Sequence, residues 1–129
     1  MSPARVTAIV GVYHADGGLA GEVRYVVGKV LGRAHCALCD VTHSPVRRKR
    51  AWDAMVARLD VPVELVHLDE MSDDVAAVVA EAGSPVVLGW VPAAGAGRWV
   101  VLLEAAALET LDGSVDAFEV ALHAAIHRL

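Results

Sequence analysis

Hydrophobic residues along the chain recur in two rhythms, and the switches between them predict the elements. Val6 to Val12 is a run of Val, Ile, Thr and Ala that is apolar on both faces, the pattern of a central strand covered by helices. Tyr13-His14-Ala15-Asp16-Gly17-Gly18 follows with turn chemistry. Leu19, Val23, Val26, Val27, Val30 and Leu31 then recur at helical spacing, while Gly21, Gly28 and Gly32 suit close packing against a sheet. Trp52, Met55, Val56 and Leu59 mark one face of a second helix. Val61 to Leu68 reads as another strand. Ser72 is placed to cap the next helix, with Asp73 and Asp74 in the first turn, where the helix dipole favours them. Val75, Val78, Val79 and Ala82 give that helix its core face, and Gly83 stops it. Val86 to Val91 and Arg98 to Leu103 read as an antiparallel pair joined by the loop Pro92 to Gly97. Asp112-Gly113-Ser114 starts a last helix, with Val115, Phe118, Leu122, Ala125 and Ile126 facing inward.

The first two helices, taken as one broken unit, give the order βαβαββα. This predicts an α/β fold in a single domain over residues 1–129, with a central mixed four-stranded sheet flanked by helices. A helical crossover makes the first two strands parallel, and the short loop makes the last two antiparallel. No repeat, low-complexity segment or linker interrupts the chain.

Composition narrows the classes. With 129 residues, 56% hydrophobic and 21% charged, the chain can bury a core and is not disordered. A net charge of -5 with no broad basic surface argues against nucleic acid as a partner. The longest apolar stretch, Pro85 to Leu103, is broken by Pro92, Gly95, Gly97 and Arg98, so no membrane span is expected. The run Val6 to Tyr13 lacks a small-residue cleavage site, and a cytoplasmic location is the expectation. The apolar excess leaves a homodimer interface open. There is no phosphate-loop, dinucleotide-binding or nucleophile-elbow pattern.

The chemistry gathers in Arg33-Ala34-His35-Cys36-Ala37-Leu38-Cys39-Asp40-Val41-Thr42-His43. In a cytoplasmic chain, two cysteines at this spacing point to redox or metal chemistry before a permanent bridge. A helix starting near Cys36 would stabilise a thiolate there, with His35 and Arg33 lowering its pKa further and Cys39 resolving the exchange. That route needs no cofactor, and its partner is a protein or small-molecule thiol or disulfide. The same string is also Cys-x2-Cys-x3-His, a soft ligand set for zinc or copper(I) through Cys36, Cys39 and His43, completed by His14 or His67. A third reading makes both cysteines small core residues. Helix placement separates them. Ser44-Pro45 opening a new helix would leave the cysteines in a loop and favour metal; Pro45 kinking a helix already running favours redox.

Two motifs give the chain a family likeness. Cys36-Ala37-Leu38-Cys39 follows the first strand with Pro45 downstream, and Ser84-Pro85 stands just before the third strand. Together with the element order, they make the chain resemble a divergent member of the thioredoxin-like superfamily. The resemblance implies a thioredoxin-like fold, a thiol–disulfide oxidoreductase and catalytic roles for Cys36 and Cys39. It also implies that Ser84-Pro85 corresponds to the cis-proline that positions a substrate chain. His35 stands where the family has tryptophan, Ala37-Leu38 replaces the usual Gly-Pro, and a helix-length stretch separates strand from motif. A thioredoxin-fold interaction protein without chemistry is the remaining alternative.

His14, Asp16, His67 and Asp69 close the first two strands, where sites in α/β sheets collect, and form a second tier of candidates. Arg47-Arg48-Lys49-Arg50 is expected as a solvated helix start neutralised by carboxylates such as Asp53, His123 and His127 as a helix flank, and Trp90 with Trp99 as packing.

Overall fold

The computed structural model describes residues 6–14, 36–44, 47–93 and 96–129. The expected helix over Leu19 to Leu31, together with Asp16, His35 and Pro45, lies outside these residues.

Four strands form the main sheet: β1 (Ala8–Val12), β4 (Val63–Val66), β5 (Val86–Val91) and β6 (Arg98–Leu103), in the order β4-β1-β5-β6. β1 runs parallel to β4 and antiparallel to β5, and β5 runs antiparallel to β6. A mixed sheet flanked by helices is therefore what forms. Two residues each make a small separate ladder, β2 (His43–Ser44) with β3 (Arg47–Arg48). The helices are α1 (Ala37–Thr42), α2 (Arg50–Arg58), α3 (Asp73–Ala82), α4 (Ala105–Glu109) and α5 (Val115–His127).

The double-sided hydrophobicity of β1 has a direct physical outcome. Alternate side chains of a strand point to opposite faces, so Ile9 joins one core while Val10 and Val12 join another. The first core holds Leu38 and Val41 of α1, Trp52 and Met55 of α2, Leu108 of α4, and Phe118 and Leu122 of α5. The second is built on Val75 and Val79 of α3. Helices cover both faces of the sheet. Gly11 permits a close approach: a Cβ there would lie 3.2 Å from Leu38 and 2.9 Å from Leu65. The cysteine-bearing helix therefore seats directly on β1.

Three local expectations are corrected. Arg47 and Arg48 lie in β3 rather than in a helix, and α2 begins only at Arg50, after Lys49. Among the described residues the Lys49 ammonium meets no carboxylate; it donates to the carbonyls of Asp40 and Gly113, both at 2.7 Å. Ser72 holds the extended backbone of an N-cap but donates its hydroxyl to Asp74 at 2.6 Å. Gly83 and Gly113 do take the left-handed conformation that stops α3 and precedes α5, with φ of 84° and 74°. Trp90 and Trp99 pack across the hairpin at 5.1 Å, and His123 lies exposed on α5 beside Glu119.

Lys49 fastens the α1 end to the loop before α5, and its charge makes both bonds strong. Lys49→Met is expected to lower the unfolding free energy by about 1–3 kcal/mol, read from denaturant midpoints. An unchanged midpoint would show the two bonds to be replaceable by water.

Candidate functional site

Strand direction decides what meets at the site. Because β1 and β4 are parallel, their C-terminal ends coincide, and Val12 pairs with Val66. Because β5 is antiparallel to β1, its first residue also faces Val12, through the pair Val12–Val86. One end of the sheet thus collects Tyr13 and His14 after β1, His67 after β4, and Ser84-Pro85 before β5. The Ser84-Pro85 peptide bond is cis.

Cys36 arrives at the same end at the N-cap of α1, in an extended conformation, and its carbonyl accepts from Asp40 N at 3.0 Å. The helix begins at the first cysteine. It ends at Thr42, and His43–Ser44 then pairs with Arg47–Arg48 in the β2–β3 ladder, so the cysteine helix does not run on through Ser44. Both cysteines are free thiols, and they approach to 3.1 Å.

The environment of Cys36 pulls its ionisation in two directions. Only 1% of the residue is exposed, and burial raises a thiol pKa. Hydrogen bonds to the sulfur outweigh this. The Cys39 side chain contributes most, followed by the backbone N–H groups of His14, Cys39 and Leu38, and the Cys36 pKa falls from 9.0 to about 6. The His14 amide donates to the sulfur from 3.4 Å. A large fraction of Cys36 is therefore thiolate at neutral pH, a condition for nucleophilic sulfur.

His14 joins the two halves of the site. Its backbone touches Cys36, and its imidazole Nδ1 lies 2.8 Å from Ser84 Oγ. The sulfur pair and the Ser84-Pro85 bend are thus one residue apart, bridged through His14.

A second set of side chains surrounds the far side of Cys39. Thr42 is fully buried, with its hydroxyl 3.0 Å from Tyr13 OH and 2.6 Å from His43 Nδ1. The Tyr13 ring contacts the rings of His43 at 5.9 Å and His67 at 5.1 Å. His67 bonds Glu70 through both its amide, at 2.8 Å, and its Nδ1, and these bonds hold the Glu70 carboxyl below its usual range. Among the described residues no three His, Cys, Asp or Glu side chains gather as a metal group, and His43 turns to Thr42 and Tyr13. Asp69 lies exposed in the turn after β4.

Tyr13 and Thr42 were not singled out from sequence. Thr42 stands one helical turn beyond Cys39, which places it near the pair; nothing local points to Tyr13, whose partner is 29 positions away. Compared with protein-family models, curated proteins and solved structures, the chain finds no match.

Proposed function

We propose that the chain is a thioredoxin-like thiol–disulfide oxidoreductase, with Cys36 as the attacking thiolate and Cys39 as the resolving thiol. The observation that carries this reading is a stabilised Cys36 thiolate 3.1 Å from Cys39, at the sheet end that also holds Ser84-Pro85. The order β4-β1-β5-β6, with the first two strands parallel and the next antiparallel, supports the thioredoxin-like layout.

Electrons and protons balance without a cofactor. The Cys36 thiolate attacks one sulfur of a substrate disulfide, forming a mixed disulfide while the other sulfur departs with the electron pair of the broken bond. Cys39 then loses its proton and attacks Cys36, closing the Cys36–Cys39 bond and releasing the second substrate thiol. Two electrons pass from the pair to the substrate, and the Cys39 proton together with one from solvent completes the two product thiols. The 3.1 Å approach of the two cysteines leaves about 1 Å to close to an S–S bond of about 2.05 Å. Since Cys36 is buried, small disulfides need the least opening of the site and are the substrates to test first.

Titrating thiol alkylation in the reduced protein should give a Cys36 pKa near 6. Mild oxidation should remove two hydrogens per chain, read as mass, and a dithiol should restore them. A thiol titrating in the ordinary range of about 8.5, or no internal disulfide on oxidation, would remove the oxidoreductase.

A further inference from the structure

Thiol–disulfide exchange has a second requirement besides a thiolate nucleophile: the departing sulfur must be stabilised as it takes the bond's electron pair. We propose that His14 is a catalytic residue of this site, the general acid that protonates the departing substrate sulfur. The inference rests on the oxidoreductase reading and deepens it by assigning a role to a residue outside the cysteine motif.

Three observations place the imidazole. Its own backbone amide donates to Cys36 at 3.4 Å, so the ring belongs to the residue in contact with the attacking atom. Its Nδ1 is tied to Ser84 Oγ at 2.8 Å, at the bend beside the sulfurs. The residue is exposed, whereas Cys36 is buried, so the imidazole is open to a substrate from solvent.

The tie to Ser84 selects the working nitrogen. In the imidazolium both ring nitrogens carry protons; Nδ1–H then donates to Ser84 Oγ, and the Nε2 proton on the opposite edge is the one left to give. Among the described residues nothing bonds Nε2. The step then balances. The Cys36 sulfur forms a bond to the near sulfur of the disulfide, and the S–S electron pair moves to the far sulfur. That sulfur takes the Nε2 proton of the imidazolium and leaves as a neutral thiol. The imidazole remains neutral, held by Ser84, and is reprotonated from solvent.

An acid of this kind matters in proportion to the basicity of the leaving sulfur. An alkyl thiolate is a poor leaving group and gains from protonation; an aromatic thiolate of low pKa leaves without it. The test is single-turnover exchange of the reduced full chain with two probes, bis-hydroxyethyl disulfide and the disulfide of thionitrobenzoate. His14→Gln keeps the backbone amide that touches Cys36, so its Cys36 pKa should match the wild type. The expected result is a loss of about 10²-fold with the alkyl disulfide and at most about twofold with the aromatic one. Ser84→Ala, which frees the ring, should show the same selectivity to a smaller degree. An equal loss with both probes, a shifted Cys36 pKa, or no loss with either would overturn the assignment of His14 while leaving the cysteine chemistry intact. A wild-type chain inert toward both probes would overturn the oxidoreductase reading itself.

Discussion

Cys36→Ser is expected to lower disulfide exchange at least ~10³-fold and to flatten the rise of stability with pH. The first effect follows because a serine hydroxyl is not ionised near neutrality and forms no disulfide. The variant should fold, since serine is a favoured N-cap residue and its oxygen can accept the amide bonds that now reach the sulfur. The second effect is a linkage consequence. In the folded reduced chain Cys36 loses its proton near pH 6, and in the unfolded chain near the ordinary thiol value. Between those limits the unfolded state carries more protons, so unfolding free energy rises with pH. The contribution is absent below about pH 6, grows through the window and is complete above about 9. Its full size is on the order of 2–4 kcal/mol. Urea unfolding of wild type and variant at both ends of the window measures it as a difference, which cancels the titration of other groups. Parallel pH profiles for the two proteins would show that the Cys36 thiol is not stabilised as an anion. Cys39→Ser provides the complement: attack proceeds, resolution does not, and the mixed disulfide on Cys36 accumulates as a stable adduct visible by mass.

The parts of this site that the sequence makes legible are those fixed by strand direction. Val6–Val12 is apolar on both faces because both faces are covered, and parallel pairing with β4 then follows from the crossover. Once β5 is antiparallel, Ser84-Pro85 must begin beside the end of β1, so its meeting with the cysteines is a topological result. Short elements are the ones that escape. α4 has five residues with one buried anchor, Leu108, and β2 and β3 have two residues each, too few to express a period. The basic run Arg47–Arg50 reads as a solvated helix face because charge carries no information about where a helix begins. Lys49, which satisfies two backbone carbonyls, makes a contact set by the loop before α5 rather than by its neighbours in sequence. Hydroxyl contacts such as Tyr13 to Thr42 are similar: either residue alone is an ordinary one, and the pair exists only after the sheet and α1 have been brought together.

Phe118→Ala is expected to cost about 3–5 kcal/mol of stability. The Phe118 ring is 2% exposed and meets Trp52, itself 3% exposed, edge to face at 5.0 Å. This contact locks α2 to α5 on the sheet face where α1 also packs. Truncation removes the ring from water-free contact and leaves a cavity that rigid helices fill only in part. A domain of this size is stable by roughly 5–15 kcal/mol, so the variant should lose about a fifth or more of that margin. The denaturant midpoint should fall with an unchanged slope, because the folded shape is retained. Phe118→Leu, which keeps much of the volume, should cost less, about 1–2 kcal/mol. The folded fraction should still titrate Cys36 near 6, since the groups that hold its thiolate are Cys39 and the amides of His14, Cys39 and Leu38, none of them on α2 or α5. A Cys36 pKa that returns to the ordinary thiol range in folded Phe118→Ala would mean that core packing, rather than local hydrogen bonding, sets the reactivity of the sulfur.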